Sequence, residues 1–507
     1  MIAQAQSATP WGIDARAVEI EVDVHPGLPQ TQIVGLPDAS VRESRERVRS
    51  AIKNCGFDLP PRAVIVNLAP ADLRKEGNHL DLGIAGALLA AHGHVPQEVL
   101  EGRLLCGELG LDGTVRPVRG GLAIADLAHR RGAKEVILPS ANAPEAAALD
   151  RIPVVAVDAL EDLVQHLLGH RPLEPVPAPH PDEITLGDIP DLADVRGQRA
   201  ARRALEVAAA GGHNLLLVGP PGSGKTMLAR RLPGLLPPLT MAEAISVTKI
   251  QSLVAEQPPS GLIRQRPFRS PHHGISTPGL VGGGSMPRPG EASQAHTGVL
   301  FLDELPEFRR DTLEALRQPL EEGSITVVRS RARLTFPARF SLVAAMNPCP
   351  CGHLGDQRFD CRCSAPLVER YRRRISGPLL DRIDLHVEVP AVQLDELRAE
   401  PGERTEPVAA RVLAAREIQR TRFGPDHPAP VNAAMTANEV RRHCSLDSAA
   451  TTLIDRAFER LGLSARALDR ILKVSRTLAD LAGSETLTSA HVAEAIQYRA
   501  LDRRVTG

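Results

Sequence analysis

The chain has 507 residues, of which 43% are hydrophobic, enough for about three packed domains. Its 60 lysines and arginines balance 61 acidic residues. The resulting net charge of −1 excludes a uniformly basic protein that binds nucleic acid through its overall charge. Aromatic residues make up only 2% of the chain, too few for a binder that stacks successive bases on aromatic side chains. Any nucleic acid would therefore be held by its phosphate backbone.

The sequence carries no signal for export or membrane insertion. The first residues, 1–6, lack the basic and apolar regions of a secretory signal, and no apolar run approaches the roughly 20 residues that span a bilayer. We therefore expect a cytoplasmic protein without a membrane partner. The seven cysteines, an odd number, are expected to stay reduced there and to form no disulfides.

The first region, residues 1–170, alternates strand-like and helix-like stretches and predicts an α/β domain. Strands are expected near 18–22 and 63–67, where β-branched residues alternate with polar ones. Five prolines then fall between Arg171 and Pro181, which predicts an extended linker over 171–187.

A second α/β region is predicted over 188–390. A charged, proline-punctuated connector follows at 391–435, with one helix expected near 408–420. Residues 436–507 are predicted to be helical throughout. Four apolar residues in this region have the spacing expected for one buried face of a helix: Leu468, Ile471, Leu472 and Val474.

A glycine-rich octapeptide lies between the apolar run 215–218 and the helix-like stretch 227–232. It comprises Gly219, Pro220, Pro221, Gly222, Ser223, Gly224, Lys225 and Thr226. Such a loop between a strand and a helix points its backbone N–H groups at phosphates, and the helix N-terminus adds positive charge. Lys225 would bind the β- and γ-phosphates, and the Thr226 hydroxyl would ligate Mg²⁺. The sequence therefore predicts binding of a nucleoside triphosphate.

Acidic and amide side chains follow two later strand-like runs. The run 298–302 ends in Asp303 and Glu304, which would place one carboxylate near Mg²⁺ and another beside the attacking water. The run 341–346 ends in Asn347, a group suited to orienting that water. The alternative interpretation is a buried strand that happens to end in acids.

Two arginines are candidates for stabilising the transition state. Arg382 lies in the segment 377–384, and Arg466 lies in the segment 463–467. Positive charge near the γ-phosphate accelerates its transfer, and an arginine from a neighbouring subunit would make hydrolysis depend on assembly. Taken alone, each arginine is more typical of a solvated surface charge.

The phosphate loop, the acidic pair, Asn347 and the two arginines follow one another along the chain. In this order they resemble the motifs of an AAA+ ATPase of the magnesium-chelatase-like branch. Further segments resemble the ComM/YifB subfamily; they lie at 35–45, 268–273, 316–321, 347–352 and 375–378. The resemblance implies roles for seven residues: Lys225 and Thr226 in Walker A, Asp303 and Glu304 in Walker B, Asn347 as sensor 1, Arg382 as a trans arginine finger and Arg466 as sensor 2. It also implies a homohexameric ring, and ComM-type members are DNA helicases that migrate branches during natural transformation.

The segments 112–122, 131–139 and 75–77 are similar to the proteolytic domain of Lon proteases. That resemblance implies a ribosomal S5 domain 2-like fold for the N-terminal domain. Lon cuts peptides with a Ser–Lys dyad, but His79 stands in place of the serine and Ala123 in place of the lysine. Neither restores the dyad, so an inactive Lon-like domain kept for ring assembly or DNA contact is expected.

Four of the seven cysteines fall within fifteen residues, as two C-x-C pairs: Cys349 and Cys351, then Cys361 and Cys363. Zn²⁺ prefers four soft ligands in a tetrahedron, which two such pairs would supply. The sequence predicts a structural zinc site. C-x-C is less typical of zinc than C-x₂-C, so reduced cysteines in a loop are the alternative.

The segment 324–339 is predicted to form two strands around a turn, with four arginines and no acidic residue. Placed just before sensor 1, this hairpin would project into the pore of a ring. There Arg329, Arg331 and Arg333 would follow a phosphate backbone. The glycine-rich loop 282–290 is a second candidate pore element. A surface hairpin with solvated arginines is the alternative.

The leading hypothesis is a hexameric ATPase that couples Mg-ATP hydrolysis to translocation or branch migration of single-stranded or branched DNA. A magnesium-chelatase motor subunit is disfavoured by the Lon-like domain and the cysteines. An ATP-dependent protease or protein remodeller is disfavoured by His79 and Ala123, and a non-enzymatic DNA clamp by Asp303 and Glu304. The predicted fold class is α/β, with a Lon-like domain, an AAA+ P-loop core and a C-terminal helical lid.

Overall fold

In a computed structural model, the protein is described over residues 2–75, 77–179, 189–284, 287–329, 332–356, 358–398, 400–425, 427, 429–461 and 463–499. The strands are β1 (Ile2–Trp11), β2 (Asp14–His25), β3 (Gln30–Val34), β4 (Ala63–Ala69), β5 (Arg103–Leu105), β6 (Glu108–Leu109), β7 (Val115–Arg116), β8 (Glu135–Pro139), β9 (Val154–Val157), β10 (Leu215–Val218), β11 (Phe268–Arg269), β12 (Val299–Leu302), β13 (Ser324–Arg329), β14 (Ala332–Pro337), β15 (Ser341–Met346) and β16 (Leu385–Glu388).

The α-helices of the first half are α1 (Ala39–Asn54), α2 (Asp81–Ala91), α3 (Gly121–Arg130), α4 (Ala143–Ala147), α5 (Leu160–Leu167), α6 (Arg199–Gly211), α7 (Lys225–Ala229), α8 (Leu232–Leu235), α9 (Met241–Val254) and α10 (Thr277–Val281). Those of the second half are α11 (Glu291–Gln294), α12 (Arg310–Glu314), α13 (Arg317–Glu322), α14 (Ala365–Arg372), α15 (Gly377–Leu380), α16 (Leu394–Arg398), α17 (Thr405–Phe423), α18 (Ala437–His443), α19 (Ser448–Leu461), α20 (Ala465–Leu481) and α21 (Ser489–Gln497).

The N-terminal sheet has the strand order β3-β4-β2-β1-β5-β8-β9. Its centre is the long antiparallel hairpin of β1 and β2, in which Val18, Ile20 and Val22 are fully buried. Exposed Glu19 lies between two of them, so the period-two pattern read from the sequence sets which face packs. Helix α2 is buried along its whole length against this sheet, which explains its nearly continuous apolar sequence.

The second sheet has the order β11-β12-β15-β10-β16, and its paired strands are all parallel. Strand β10 is buried at every residue, as expected of a parallel strand covered on both faces. Because parallel strands share a direction, the loops after β10, β12 and β15 leave from the same edge. This edge carries the candidate nucleotide-binding residues.

Of the C-terminal helices, α20 packs on helix α6 of the second sheet's layer, and α18 and α21 pack on α20. On α20, Ile471 and Val474 are buried in the core around β10, and Leu468 and Leu472 are partly buried against neighbouring lid clusters. The predicted buried face is therefore present. Within the described part of the chain, no helix is both long and apolar enough to cross a membrane.

The connector differs from the prediction because it contains two helices, α16 and α17. Helix α17 starts at Thr405, three residues before the predicted start at 408. Its Pro407 lies in the first turn, where a backbone N–H has no intrahelical acceptor and its loss is tolerated. Asp191 fixes this start, since its carboxylate accepts from the Thr405 backbone N–H at 2.9 Å.

Polar and apolar contacts join the two sheets through helix α9 and the β1–β2 turn. Lys249 of α9 lies 2.8 Å from Asp14 and 2.7 Å from Asp126, both in the N-terminal domain. Trp11 and Ile13 of the turn pack against the apolar cluster of the second sheet. The two domains therefore meet through specific contacts in addition to the linker.

Candidate nucleotide-binding site

The octapeptide forms a tight loop between β10 and α7. Gly222 and Gly224 have φ angles of +74° and +90°, a left-handed conformation that favours glycine. A Cβ on Gly219 would lie 2.0 Å from the Val389 carbonyl oxygen, so only glycine fits there. The buried hydroxyl of Ser223 has no hydrogen-bond partner among the described residues. The loop is shaped for close approach of a ligand to its backbone.

Lys225 is the first residue of α7, and its side chain folds over the loop. Its ammonium group donates to the carbonyl oxygens of Gly219 at 2.8 Å and Pro220 at 2.9 Å. It also lies 3.4 Å from Oδ1 of Asn347. Burial lowers the pKa of Lys225, and nearby Asp303 and Glu304 oppose that shift. The structure thus brings Walker A and the predicted sensor 1 together.

The Thr226 hydroxyl donates to Oδ2 of Asp303 at 2.8 Å. Their proximity follows from sheet order, since β10 and β12 both pair with the intervening β15. A hydroxyl and a carboxylate side by side are the hard oxygen donors that Mg²⁺ prefers. Thr226 and Asp303 therefore fit a magnesium ion bound between them.

Glu304 follows Asp303 in a strained backbone conformation. Its φ of +52° is unfavourable for a non-glycine residue and is typical of functional positions. The Glu304 backbone N–H donates to Oδ1 of Asp303 at 3.0 Å. The Glu304 side chain is 55% exposed, so its carboxylate can reach a water molecule beside the phosphate loop.

His273 is a site residue to which the sequence motifs assign no role. Its Nδ1 lies 3.4 Å from Oε2 of Glu304, and its ring packs edge-on against Phe308. The feature that could have identified His273 is strand β11, which runs parallel to β12. This strand ends shortly before His273 at the same edge of the sheet. By contrast, His296 is buried and accepts a hydrogen bond from the backbone of Arg339 at 3.1 Å, a structural role.

Arg382 and Arg466 lie together, but not with Lys225. Both line a cavity of about 700 Å³ that also includes Asn214 and Phe340, the residues directly before β10 and β15. The Asn214 side chain donates to the Arg382 carbonyl at 2.8 Å. The arginines therefore lie at the amino edge of the parallel strands, whereas the phosphate loop follows their carboxyl edge. A strand of four residues separates the two edges by about 13 Å.

Acidic neighbours hold both arginines in this cavity. Arg382 contacts the Glu321 carboxylate and donates to the Pro378 carbonyl at 2.6 Å. Arg466, which is 74% exposed, lies 3.7 Å from Asp381. Burial and the nearby cations lower the pKa of Arg382. Each of the two arginines in this cavity therefore has an acidic neighbour in the same chain.

The four clustered cysteines converge as the sequence predicts. Their Sγ atoms all lie within 4.8 Å of one another, and the shortest separation, Cys349 to Cys351, is 3.4 Å. A disulfide needs about 2.05 Å, whereas tetrahedral zinc with Zn–S distances of about 2.3 Å separates its sulfurs by about 3.8 Å. The cluster therefore fits a thiolate-bound metal ion. His353 is not in this group, since its Nδ1 faces Asp356 at 3.5 Å.

The cysteine cluster touches the phosphate loop. Gly352, with φ of +85°, lies so close that a Cβ there would be 2.7 Å from the Pro221 ring. Asn347 precedes Cys349 by two residues at the end of β15. The cysteine loop thus supports both Walker A and the predicted sensor 1.

The arginine hairpin is present as strands β13 and β14, paired from Ser324 to Pro337. Its inner face, which includes Phe336, is buried in the core of the second sheet's layer. Arg333 is exposed, the side chain of Arg329 is not described, and Arg331 lies outside the described residues. The base of the hairpin is therefore anchored, and one of its three candidate DNA residues has a defined exposed side chain.

The two positions aligned with the Lon dyad lie in different surroundings. Ala123 is fully buried on α3 in an apolar cluster, where no base is available. His79 is 8% exposed and lines a different feature, a cavity between the two domains.

The strand–loop–helix, the Thr226–Asp303 pair and the parallel sheet define a P-loop nucleotide-binding core. Residues 191–397 match the family described as magnesium chelatase, subunit ChlI. Residues 20–142 match subunit ChlI of Mg-chelatase, and residues 402–499 match the ChlI C-terminal family.

Full-length relatives narrow the assignment further. The chain is 46% identical to the uncharacterized protein YifB of Escherichia coli, over 97% of this chain and 96% of the relative. It is 45% identical to the competence protein ComM of Haemophilus influenzae, over 99% of this chain and 98% of the relative. The chain therefore belongs to the YifB/ComM subfamily of magnesium-chelatase-like AAA+ proteins, a family that implies use of ATP and Mg²⁺.

A weaker similarity agrees with the interpretation of the N-terminal domain. Lon protease 2 of Bacillus subtilis is 23% identical over 30% of this chain and 28% of that protein. Together with the α/β sheets and the C-terminal helices, this confirms the predicted fold class.

We expect protein purified without a histidine tag to contain about one thiolate-bound metal ion per chain. Cys361→Ser should lose most of it, because three sulfurs hold such an ion less tightly than four. Since Gly352 touches Pro221, ATP affinity should fall in the same variant. Elemental analysis and ATP titration measure both effects. Cys55→Ser, outside the cluster, is the matched control, and metal-free wild-type protein with full ATP affinity would contradict the assignment.

Proposed function

We propose that the chain assembles into a homohexameric ring that hydrolyses Mg-ATP and uses the energy to move along DNA. The observation that carries the proposal is the division of the nucleotide residues between two edges of one sheet. A phosphate loop at one edge and two arginines at the other complete each other when a neighbouring copy presents its arginine face to the loop.

Within one subunit, the residues at the loop prepare a water molecule for attack. Lys225 and the loop N–H groups bind the phosphates, and Asn347 orients the water. Glu304 accepts the proton of that water, and His273 positions the Glu304 carboxylate. When held by Thr226 and Asp303, Mg²⁺ would neutralise charge on the phosphate oxygens.

Across the subunit interface, Arg382 and Arg466 would act together on the neighbour's nucleotide. They share one cavity at the amino edge of the parallel strands, whereas Lys225 lies at the carboxyl edge, which favours action on the nucleotide of a neighbouring chain. Charge that develops on the γ-phosphate in the transition state would then be stabilised only in an assembled ring.

DNA is the proposed track for this motor. The H. influenzae relative carries the name competence protein, which supports a competence-related role in DNA handling. The hairpin of β13 and β14 packs on the nucleotide core and exposes Arg333. Its sequence also carries Arg329 and Arg331. Gly282 and Arg288, from the loop 282–290, line cavities that hairpin residues share. Phosphate contacts of this kind bind DNA without reading its sequence.

Zinc is the metal we propose for the cysteine cluster. Four thiolates in a closed, tetrahedral arrangement are typical of structural zinc. The ion would fix the loop that supports Pro221 and Asn347.

A chelatase motor subunit is the second candidate, because the family descriptions name that enzyme. The near full-length match to the competence protein ComM favours the DNA motor instead. The discriminating experiment is the rate of ATP hydrolysis with and without single-stranded, duplex and branched DNA. Stimulation by DNA is expected, and a rate that no DNA changes would contradict the proposal.

Glu304→Gln should keep ATP binding and lower the turnover rate by about 100-fold or more, since general base catalysis contributes about 10² to 10⁴. The Walker A residues and the magnesium ligands remain in place in this variant. Lys225→Ala should instead weaken ATP binding itself. Turnover assays and titration with a fluorescent ATP analogue separate the two effects. Wild-type turnover by Glu304→Gln would remove Glu304 from the catalytic role.

His273→Ala should lower kcat by about tenfold with little change in KM, because it releases the Glu304 carboxylate without touching the phosphate loop. His129→Ala is the matched control, since His129 is exposed on helix α3 of the N-terminal domain and outside the nucleotide-binding site. Equal kcat values for both variants and the wild type would contradict the positioning role.

Mixing Arg382→Ala protein with Lys225→Ala protein should restore part of the lost turnover. In an equimolar mixture about a quarter of the interfaces would combine an intact loop with intact arginines. Mixing Arg382→Ala with Arg466→Ala should restore nothing, because both changes fall on the same face and every interface lacks one arginine. Rescue in the second mixture as well would place the two arginines at different sites.

Replacing Arg329, Arg331 and Arg333 together by alanine should weaken DNA binding similarly for all sequences. The slope of log affinity against log salt should fall by up to about one per lost contact, whereas basal ATPase should survive. Replacing the exposed lid residues Arg441, Arg442 and Arg460 removes the same charge and serves as the control. Equal salt slopes for both triple variants would move the DNA path away from the hairpin.

A further inference from the structure

A cavity of about 470 Å³ lies between the Lon-like domain and the ATPase core. Both domains form its walls. The Lon-like domain contributes Ser40, Asn78, His79 and Arg119 to the lining, and the ATPase core contributes Arg288 and Leu334. Nothing in the proposed ATPase cycle uses this cavity, although Leu334 belongs to the arginine hairpin and Arg288 to the loop 282–290.

Two arginines of the cavity lining have no ion-pair partner among the residues that the structure describes. Arg119 and Arg288 are both exposed and come from different domains, and the charge of Arg288 adds to the effect of burial in lowering the pKa of Arg119. Neither guanidinium forms an ion pair with an acid of the described ranges. Two like charges brought together without an acid are the arrangement expected at an anion site.

The acids that line the same cavity are already engaged. The Asp38 carboxylate accepts from the Val41 backbone N–H at 2.8 Å, where it caps helix α1. Glu108 faces Arg116 at 3.8 Å. The cavity lining therefore carries two carboxylates that are engaged by other groups and two guanidinium groups that have no ion-pair partner among the described residues.

A buried histidine adds an unused polar atom. His79 is 8% exposed, and its Nε2 has no hydrogen-bond partner in the part of the chain that the structure describes. Burial lowers the pKa of His79 to about 4, so the ring is neutral near pH 7 and offers a single N–H donor. A buried nitrogen without a partner costs free energy unless a ligand satisfies it.

We propose that this cavity binds a phosphate group of a DNA strand, with Arg119 and Arg288 as ion-pair partners and His79 as a hydrogen-bond donor. The inference rests on the proposed function, because a strand that follows the hairpin passes Leu334 at the cavity wall. Guanidinium groups bind phosphate oxygens in pairs, so one phosphate can engage both domains at once. The Lon-like domain would thus contribute a DNA contact of its own.

The first test uses the full-length chain with Arg119→Gln and Arg288→Gln combined. Anisotropy of a labelled oligo(dT) should show about tenfold weaker binding, and the salt slope should fall by about one to two. Arg131→Gln paired with Arg441→Gln removes the same charge from exposed positions outside the cavity and should change neither quantity by as much. Basal ATPase should be unchanged in all variants. Equal affinity and slope in the cavity variant would overturn the proposal.

The second test locates the strand. A photo-crosslinking residue in place of Ser40 should capture oligo(dT), whereas the same residue in place of Arg131 should not. Capture at neither position, from a wild type that binds DNA, overturns the cavity assignment and leaves the DNA motor intact. A wild type that binds no DNA contradicts the proposed function itself.

A third arm separates DNA from free anions. If inorganic phosphate raises the Tm of the wild type but not of the cavity variant, while both bind oligo(dT) equally, the site holds a free phosphate. That result would overturn the assignment to DNA. Loss of oligo(dT) affinity together with crosslinking at position 40 supports it.

Discussion

The parallel pairing of β10 with β15, and of β15 with β12, is the constraint on which the site depends. It aligns the ends of three strands at one edge, so Thr226, Asp303 and Asn347 meet although 121 residues separate the first from the last. The same pairing sends the segments before these strands to the other edge, where Arg382 and Arg466 lie. The parallel direction of these strands thus separates the phosphate loop from the two arginines that we propose to act on a neighbour's nucleotide. The proposed ring would bring the two groups together.

The edge that carries the phosphate loop is also stiffened by its neighbours. Gly352 of the cysteine loop packs on Pro221, and Val389 approaches Gly219 so closely that no side chain fits. Glu304 keeps a strained backbone next to Asp303, and His273 holds its carboxylate from the adjacent strand end. Contacts from several distant segments therefore fix a loop that, as a glycine-rich peptide, would otherwise sample many conformations.

Features carried by a few consecutive residues were predictable from the sequence. The phosphate loop, the β13–β14 pairing and the convergence of Cys349 with Cys361 all follow from local pattern and spacing. His273 was missed because its role depends on β11 lying beside β12 in the sheet. No local sequence pattern shows this strand order. The shared cavity of Arg382 and Arg466 and the contacts of Lys249 depend on packing between segments far apart in sequence, which periodicity cannot show.

The β1–β2 turn has a consequence for how the protein can be divided. Trp11 and Ile13 belong to the N-terminal sheet by sequence, yet they complete the apolar cluster of the ATPase core, and Leu334 of the hairpin lies within van der Waals distance of a Cβ at Gly12. A fragment that starts after the proline-rich linker would expose that apolar surface to water. The linker separates the two domains along the sequence, but the apolar cluster of the ATPase core includes residues from both sides of the linker. The two folds are therefore not interchangeable modules. Exchange of the N-terminal domain by recombination at the linker would also require a new apolar surface beneath the turn.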